Sequence, residues 1–233
     1  MVDLTKEQQK QIEKQLKEHQ HANYKVDIIL TKNEILRNFS VHARVLRPEI
    51  MNALHLARWL FLHKEIYKNK TVLDMGSGTG IQGIVAALYG AKEVIFSDLS
   101  HAAVENTKEN IKFFGMGNIS EVFEGDLFEK IKNKSEIIIF NHPFFSDKTM
   151  EENILTKSAI TRGELIHRFF DQAKKFLNKN GVIIMPYFHL AGKINDPAVQ
   201  ALKHGYFIKE RFKINSNIGL QKGENSICIL KLN

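Results

Sequence analysis

The chain has only one cysteine among its 233 residues, and this scarcity limits the sites it can contain. Cys228 has no second thiol for an internal disulfide and no set of thiolates that could hold a metal ion. A reducing, cytoplasmic setting is therefore expected. The ten histidines do not change this picture, because their spacings match no metal site; His19 and His21, for example, do not share a helical face. We predict no metal site.

Long hydrophobic runs are also missing. The longest apolar runs, such as residues 137–140 (IIIF), are far shorter than the ~20 residues of a membrane-spanning helix. Residues 1–20 alternate charged and polar side chains and lack the apolar stretch of a signal peptide. Neither the four prolines nor the glycines cluster into a linker. We therefore expect no membrane association.

Composition and charge favour a folded chain with a basic N-terminal part. Hydrophobic residues make up 43% of the chain and aromatic residues 9%, which is enough for a sizeable core. The net charge is +7, and residues 1–70 carry +5 of it. A basic appendage on a nearly neutral domain could bind an anionic partner such as RNA. The alternative is an ordinary lysine-rich helix that faces solvent.

From residue 71 onward, short apolar runs alternate with helical segments. This alternation predicts a parallel sheet covered by helices on both faces. Residues 206–214 and 226–232 are two strand-like runs with only a loop between them, which predicts an antiparallel hairpin. The expected fold class is α/β: a doubly wound, mostly parallel seven-stranded sheet with a C-terminal antiparallel hairpin, plus an N-terminal helical extension. The strands are expected at residues 71–75, 93–97, 121–123, 136–140 and 182–186, and the helices at residues 80–88, 102–113 and 163–177.

The first seventy residues have a different rhythm. An exposed helix is predicted over residues 4–20 and a second helix over residues 48–67. Residues 24–47 between them could form one or two short strands or a lid segment. We therefore divide the chain at residue 70. Residues 1–70 form an N-terminal helical extension that could bind substrate or act as a lid, and residues 71–233 form the Rossmann-like domain.

A glycine-rich turn follows the first strand of the alternating part. Its sequence from Asp74 to Gly80 is DMGSGTG. Glycines let the backbone turn sharply and let a ligand approach main-chain atoms, and the helix that follows adds unsatisfied N–H groups. Asp98 ends the second strand, where a carboxylate can accept both hydroxyls of a ribose. Asp126 follows the third strand, so acidic residues stand at three strand ends.

This pattern resembles the class I, Rossmann-like S-adenosylmethionine-dependent methyltransferases over about residues 70–233. The resemblance implies S-adenosylmethionine as the cofactor. It implies that Asp74 lies close to the amino-acid moiety of the cofactor, that Asp98 holds the ribose and that Asp126 bonds the adenine amino group. The other residues it places in the cofactor site are Gly76 and Gly78 at the methionine end, Ser77 between them, and Leu99 or Leu127 on the adenine ring.

Two kinds of phosphate-binding loop are the alternatives for the same turn. Residues 78–83 also fit G-x-G-x-x-G, the dinucleotide-binding fingerprint. An acidic residue just before the glycines is unfavourable for a pyrophosphate, and Asp74 suits a ligand with an amino group and a sulfonium better. A P-loop is excluded because no Gly-Lys-Ser/Thr follows at the required spacing.

The fourth strand-like run ends in Asn141-His142-Pro143-Phe144, which resembles the Asn-Pro-Pro-Tyr/Phe motif of methyltransferases acting on planar nitrogens. The resemblance implies that the Asn141 side-chain oxygen and the His142 carbonyl grip the acceptor N–H groups, and that Phe144 stacks on the acceptor. His142 replaces the usual proline. Its imidazole could face the pocket as a base or donor, or point away and pack.

The expected function is methyl transfer to an exocyclic amine of an RNA base or to a protein glutamine amide, with RNA slightly ahead because of the basic extension. Residues 47–49 (RPE) resemble a segment of the glutamine-amide enzymes, and residues 39–49 could close over the cofactor. The alternatives are a small-molecule methyltransferase and a non-catalytic partner subunit that binds S-adenosylmethionine. The oligomeric state is left open.

Overall fold

The structure is a computed structural model that describes residues 5–18, 20–146, 160–161, 164–215 and 224–233. The described helices are α1 (Lys6–Glu18), α2 (Met51–Leu62), α3 (Ile81–Leu88), α4 (His101–Phe113), α5 (Leu165–Phe176) and α6 (Pro197–Lys203). The described strands are β1 (Tyr24–Thr31), β2 (Glu34–Val41), β3 (Thr71–Met75), β4 (Glu93–Asp98), β5 (Ser120–Glu124), β6 (Ser135–Phe140), β7 (Phe145–Ser146), β8 (Ile160–Thr161), β9 (Leu177–Phe188), β10 (Tyr206–Asn215) and β11 (Glu224–Leu232). Among these residues, no helix is both long and apolar enough to cross a bilayer.

Seven strands form one sheet in the order β10-β11-β9-β6-β3-β4-β5. Five of them, from β9 to β5, run parallel to their neighbours, whereas β11 is antiparallel to both β9 and β10. The mostly parallel sheet with its C-terminal hairpin confirms the predicted fold class. The chain reverses its winding direction between β3 and β6, and such a switch point opens a crevice beyond the carboxyl ends of the strands.

Apolar runs buried on both faces explain why the central strands form. In β3, Val72 packs into one hydrophobic core and Leu73 into the other, as the period of two along a strand requires. The first core lies under α2 and α3, and the second lies under α5 and α6. Gly83 allows α3 to approach the sheet closely, because a Cβ atom there would lie 2.2 Å from the Phe96 ring.

Two regions differ from the sequence-based expectation. Helix α6 was not predicted; Asp196 begins it by accepting the Ala198 N–H at 2.9 Å, and Pro197 supplies a favourable first residue. For residues 24–47 the alternatives are short strands and a lid segment; residues 24–41 of this segment form the antiparallel hairpin β1–β2. The N-terminal extension therefore contains a hairpin as well as helices.

The hairpin packs directly onto the main domain. Ile28 and Phe39 are fully buried and belong to the same hydrophobic core as Val85 of α3 and Ile137 of β6. At the other end of the extension, Ile12 of α1 is buried in a small cluster with Phe144 and Tyr187. Hydrophobic packing therefore continues without a break across the expected boundary at residue 70.

Candidate active site

The glycine-rich turn leaves β3 at the switch point of the sheet. Its alternate glycines, Gly76, Gly78 and Gly80, have φ angles of 64°, 58° and 82°, which only glycine adopts at little cost. The Gly76 N–H donates to the Ser97 carbonyl of β4 at 2.7 Å. The turn is thus held against the end of the neighbouring strand, where its backbone is open to a ligand.

Asp98, at the end of β4, binds the backbone of this turn through its carboxylate. One of its carboxylate oxygens accepts the Gly78 N–H at 2.9 Å and the other accepts the Ser100 N–H at 2.8 Å. Burial raises the pKa of Asp98, and hydrogen bonds from the backbone of Ser100, Gly78 and Leu99 oppose that rise. Each carboxylate oxygen has a second lone pair, so the group can still accept hydrogen bonds from a ligand.

One cavity of about 400 Å³ gathers most of the predicted site residues. It lies beyond the carboxyl ends of β3, β4 and β6, as expected for a doubly wound sheet. The predicted residues that line it are Gly76, Gly78, Asp98, Leu99, Asp126, Leu127, Asn141 and Pro143. A larger cavity of about 780 Å³ opens at the other end of the strands, near the amino end of β6, beside Glu136 and Lys179. No predicted site residue borders it.

Asp74 and Ser77 do not line the cavity, although both were expected in the cofactor site. Asp74 is fully buried, and its carboxylate accepts the Gly83 N–H of α3 at 2.8 Å. Burial raises its pKa to about 8, the Gly83 hydrogen bond opposes this, and the nearby charge of Asp98 adds to it. Ser77 is also buried, with its Oγ 3.2 Å from Thr107 Oγ1. Both side chains therefore lie on the side of the glycine turn that faces away from the cavity, where they stabilise the turn.

Asp126 and Leu127 stand at the far end of the cavity, after β5. A carboxylate oxygen of Asp126 pairs with the Arg168 guanidinium of α5, which orients the carboxylate. Leu127 has a φ of 51°, and a left-handed backbone is strained for a bulky residue. The Ser97 hydroxyl donates to the Leu127 carbonyl at 3.2 Å. The strained loop is therefore tied to β4, with Leu127 exposed to the cavity on one side.

Residues 141–144 (NHPF), called the acceptor motif after the family motif that they resemble, leave β6 beside the glycine turn. Asn141 and Pro143 line the cavity, and Phe140 packs under Gly76, where an added Cβ would lie 3.4 Å from the ring. The Asn141 side-chain oxygen is buried and has no hydrogen-bond partner among the residues that the structure describes. An unsatisfied buried acceptor costs free energy. Asn141 borders the cavity, and this oxygen is not committed to another protein donor among the described residues.

His142 and Phe144 turn away from the cavity. The His142 Nε2 lies 3.1 Å from the Asn195 carbonyl, so Nε2 carries the proton that is donated there. Burial lowers the pKa of His142 to about 4, opposed by the hydrogen bond to Asn195. Of the two alternatives for the imidazole, the structure has the one in which the ring points away from the cavity and packs in the protein. Phe144 lies in the cluster of Ile12, because α1 covers this side of the loop.

Arg44, Val45 and Leu46 form the front wall of the cavity, although none of them is among the residues predicted individually for the site. Only the expectation that residues 39–49 could close over the cofactor pointed to them. Glu49 accepts hydrogen bonds from Tyr24 at 2.8 Å and from Arg47 at 2.8 Å. The RPE segment thus fastens the front wall to β1. The other lining residues not foreseen are Met75, Ser97, Ser100, Ala103, Gly125, Phe140 and Leu165.

Two buried asparagines of α4 hold the end of β2 that leads into this wall. Asn110 accepts the Ser40 N–H and donates to the Ser40 carbonyl, both at 2.9 Å, and it also donates to the Thr79 carbonyl at 3.0 Å. Asn106 donates to the Ser40 carbonyl and accepts the His42 N–H, both at 2.9 Å. This asparagine clamp, Asn106 and Asn110, joins the hairpin, α4 and the glycine turn.

Comparison with known proteins identifies the family. Residues 57–192 match the family model described as the methyltransferase small domain, which covers more than half of the chain. The chain belongs to this family. It is an S-adenosylmethionine-dependent methyltransferase, and the matched region contains the glycine turn, Asp98, Asp126 and the acceptor motif.

Several relatives of this methyltransferase have names that state an acceptor. A protein of Methanocaldococcus jannaschii, provisionally named a protein N5-glutamine methyltransferase, is 33% identical over 153 residues, which cover 64% of this chain and 77% of the relative. The ribosomal protein L11 methyltransferase of Clostridium perfringens is 36% identical over 123 residues, or 53% of this chain. The match spans only 33% of that relative's length.

Solved structures share the fold of the methyltransferase. The ribosomal protein L11 methylase of Lactobacillus delbrueckii subsp. bulgaricus aligns over 89% of this chain and 99% of its own, with a TM-score of 0.62 and 18% identity. The Thermus thermophilus 16S rRNA N2 G1207 methyltransferase, solved with S-adenosylmethionine and guanosine, aligns over 91% of this chain and 51% of its own, with a TM-score of 0.63 and 14% identity. At these identities the likeness shows the fold alone.

The residues around the cavity of the methyltransferase fit S-adenosylmethionine. Carboxylates suited to a ribose and an adenine amino group stand at two strand ends, and the glycine turn between β3 and α3 leaves main-chain atoms open. The Ser100 hydroxyl and the Asn141 amide oxygen are buried without partners among the described residues, so polar atoms remain for a ligand. A cavity of about 400 Å³ suits a molecule of this size.

Proposed function

We propose that the methyltransferase transfers a methyl group to a planar nitrogen, either the amide of a protein glutamine or the exocyclic amine of an RNA base. The proposal rests on one observation. Asn141, at the end of β6, presents a buried amide oxygen without a partner among the described residues, in the wall of the cavity that the glycine turn also lines.

The chemistry of a planar nitrogen calls for such an oxygen. An amide or exocyclic amine delocalises its lone pair and is a poor nucleophile. Hydrogen bonds from its N–H groups to the Asn141 oxygen and to the His142 carbonyl would hold the nitrogen so that the lone pair faces the reacting carbon. When bound, S-adenosylmethionine supplies a methyl group on a positively charged sulfur. Alignment of this kind can lower a barrier by up to ~7–11 kcal/mol. The nitrogen that gains the methyl group would become cationic and strongly acidic, so it would lose one N–H proton to water without a strong base from the protein.

We infer that His142 acts through its backbone rather than its imidazole. Burial lowers the pKa of its side chain to about 4, so the ring is neutral at neutral pH. The ring donates its Nε2 proton to the Asn195 carbonyl and does not border the cavity. This pairing would fix the loop and hold the His142 carbonyl in place. The Asn195 side chain adds a second tie, because it donates to the Phe144 carbonyl at 2.7 Å.

The names of relatives support a planar nitrogen on two kinds of carrier. One relative is named for a glutamine amide and a structural neighbour for the N2 amine of a guanine. Both acceptor atoms are nitrogens of NH2 groups that are attached to a planar, electron-withdrawing carbon. The basic N-terminal part fits an RNA carrier, and the provisionally named glutamine methyltransferase of M. jannaschii fits a protein carrier.

The test is methyl transfer by wild type and by Asn141→Ala. We expect Asn141→Ala to bind S-adenosylmethionine with nearly wild-type affinity in calorimetry and to lose transfer of labelled methyl. Asn180→Ala changes an exposed asparagine beside the other cavity, at the far end of the strands, and serves as the matched control. If Asn141→Ala still methylates its acceptor at the wild-type rate, the planar-nitrogen proposal is wrong.

The carrier is found by incubating the enzyme with labelled S-adenosylmethionine and separated RNA, protein and metabolite fractions. Label in RNA should decline with salt, since binding to single-stranded RNA falls by about 0.7 log units per log unit of salt for each phosphate contact. Label in protein should release methylglutamine on proteolysis. Label only in small metabolites, or in no fraction at all, would reject both carriers.

A further inference from the structure

Arg44 occupies a strained backbone conformation in the front wall of the cofactor cavity. Its φ angle is 66°, in the left-handed region. Among the described residues, the other non-glycine positions with positive φ are Asn38, Asn69 and Leu127, and asparagine tolerates this conformation well. Arginine and leucine tolerate it less well, so Arg44 and Leu127 are the strained residues of this group. Both line the same cavity. Strain of this kind tends to lie where a ligand is held.

The turn that contains Arg44 is fixed from several sides. The Val45 N–H donates to the His42 carbonyl at 3.2 Å, which closes the turn around Arg44. The Ala43 N–H donates to the Asn23 side chain at 2.7 Å. The His42 N–H donates to Asn106 of the asparagine clamp. These bonds give the strained conformation its support and aim the wall at the glycine turn, where Val45 packs beside Gly78.

Charge in the cavity is divided unevenly. The charged residues that line it within the described part of the chain are Arg44, Asp98 and Asp126. Asp126 is paired with Arg168, and Asp98 accepts backbone N–H groups. No carboxylate is within salt-bridge distance of Arg44 among the described residues. Arg44 is therefore an exposed cation that borders a ligand cavity whose other charged residues are acidic.

We propose that Arg44 binds the α-carboxylate of S-adenosylmethionine and so selects for the intact amino-acid end of the cofactor. Two carboxylates in the cavity suit the hydroxyls, the amines and the positive charge of the cofactor, but they repel its carboxylate. A guanidinium matches a carboxylate with two parallel hydrogen bonds. The strained turn fixes the backbone of Arg44 at the cavity, so the exposed side chain starts from a defined position beside the cofactor site.

The test compares S-adenosylmethionine with decarboxylated S-adenosylmethionine, which keeps the sulfonium and the amine and lacks only the carboxylate. Calorimetry on wild type should show tighter binding of the intact cofactor. Arg44→Ala should weaken binding of S-adenosylmethionine by about 10- to 100-fold, the range of a charge-assisted hydrogen bond, and leave the decarboxylated compound nearly unchanged. Arg44→Lys should recover part of the preference.

Arg37→Ala is the matched control, because Arg37 is an exposed arginine of the nearby strand β2 that pairs with Asp27 and does not line the cavity. It should leave both affinities at the wild-type value. Equal losses for the two compounds in Arg44→Ala would mean that the residue only shapes the wall, and no loss for either would remove it from the cofactor site. Either result overturns the proposal. No acceptor is present in these titrations, so the outcome is independent of the proposed methyl acceptor.

Discussion

At the scale of single residues, side-chain direction decides which predicted groups reach the cavity. Asp98 ends β4 and Asp126 follows β5, and both line the cavity. Position at a strand end does not determine which face of the sheet a side chain takes. Along β3, Asp74 shares the face of Val72, under α3, and Met75 takes the other face and lines the cavity. The period of two along a strand therefore places Asp74 behind the glycine turn.

The buried carboxyl of Asp74 predicts a dependence of stability on pH. Burial raises its folded-state pKa from 3.8 to about 8, so between these values the unfolded chain loses a proton that the folded chain retains. The contribution of Asp74 to the free energy of unfolding is therefore largest at the low end of this pH window. It declines as pH rises, by at most ~1.4 kcal/mol per pH unit.

Asp74→Asn should remove that decline, since an amide oxygen can still accept the Gly83 N–H. Urea unfolding at several pH values inside the window measures the slope for both proteins. Asp27→Asn, at an exposed position on β1, is the control and should keep the wild-type slope. A wild-type stability that is flat or rising across the window would contradict the assignment of a neutral Asp74.

At the scale of elements, the sequence specified most strands and helices because their patterns are local. The apolar runs and their spacing were sufficient for the parallel strands, α3 and α4. Hairpin β1–β2 remained one of two alternatives, since its burial depends on a core supplied by α2 and α3. The asparagine clamp could not be foreseen, because Ser40 and Asn110 are 70 residues apart and no local pattern links them.

Asn110→Ala should loosen the hairpin and the front wall together. The change leaves the Ser40 N–H and the Thr79 carbonyl without their side-chain partner, and unsatisfied buried groups cost about 1–3 kcal/mol each. We expect a loss of about 2–4 kcal/mol in the free energy of unfolding and faster hydrogen exchange over residues 34–46. Asn118→Ala, at an exposed position after α4, should change neither quantity. Normal exchange over the hairpin in Asn110→Ala would show that the clamp does not hold it.

At the scale of the whole molecule, the extension and the sheet should unfold as one unit. Trp59 is the single tryptophan; it belongs to α2, yet its ring stacks on His63 and lies 5.2 Å from the Phe212 ring of β10. Its fluorescence therefore reports the contact between the two parts of the chain. Denaturant unfolding followed by tryptophan fluorescence and by far-ultraviolet circular dichroism should give coincident transitions. Two separate transitions would instead support independent units on either side of residue 70.

The contact between α1 and the far end of β9 has a consequence for synthesis on the ribosome. The Gln8 side chain donates to the Leu190 carbonyl at 2.8 Å across a separation of 182 residues. Because a nascent chain emerges from its N-terminus, α1 is made first and must wait for its docking partner until most of the protein has emerged. The cluster that Ile12 shares with Phe144 also needs Tyr187 and Phe188, so it can form only after these later residues have emerged. This side of the molecule is thus assembled only after β3, β4 and β6, which border the cavity, have been translated.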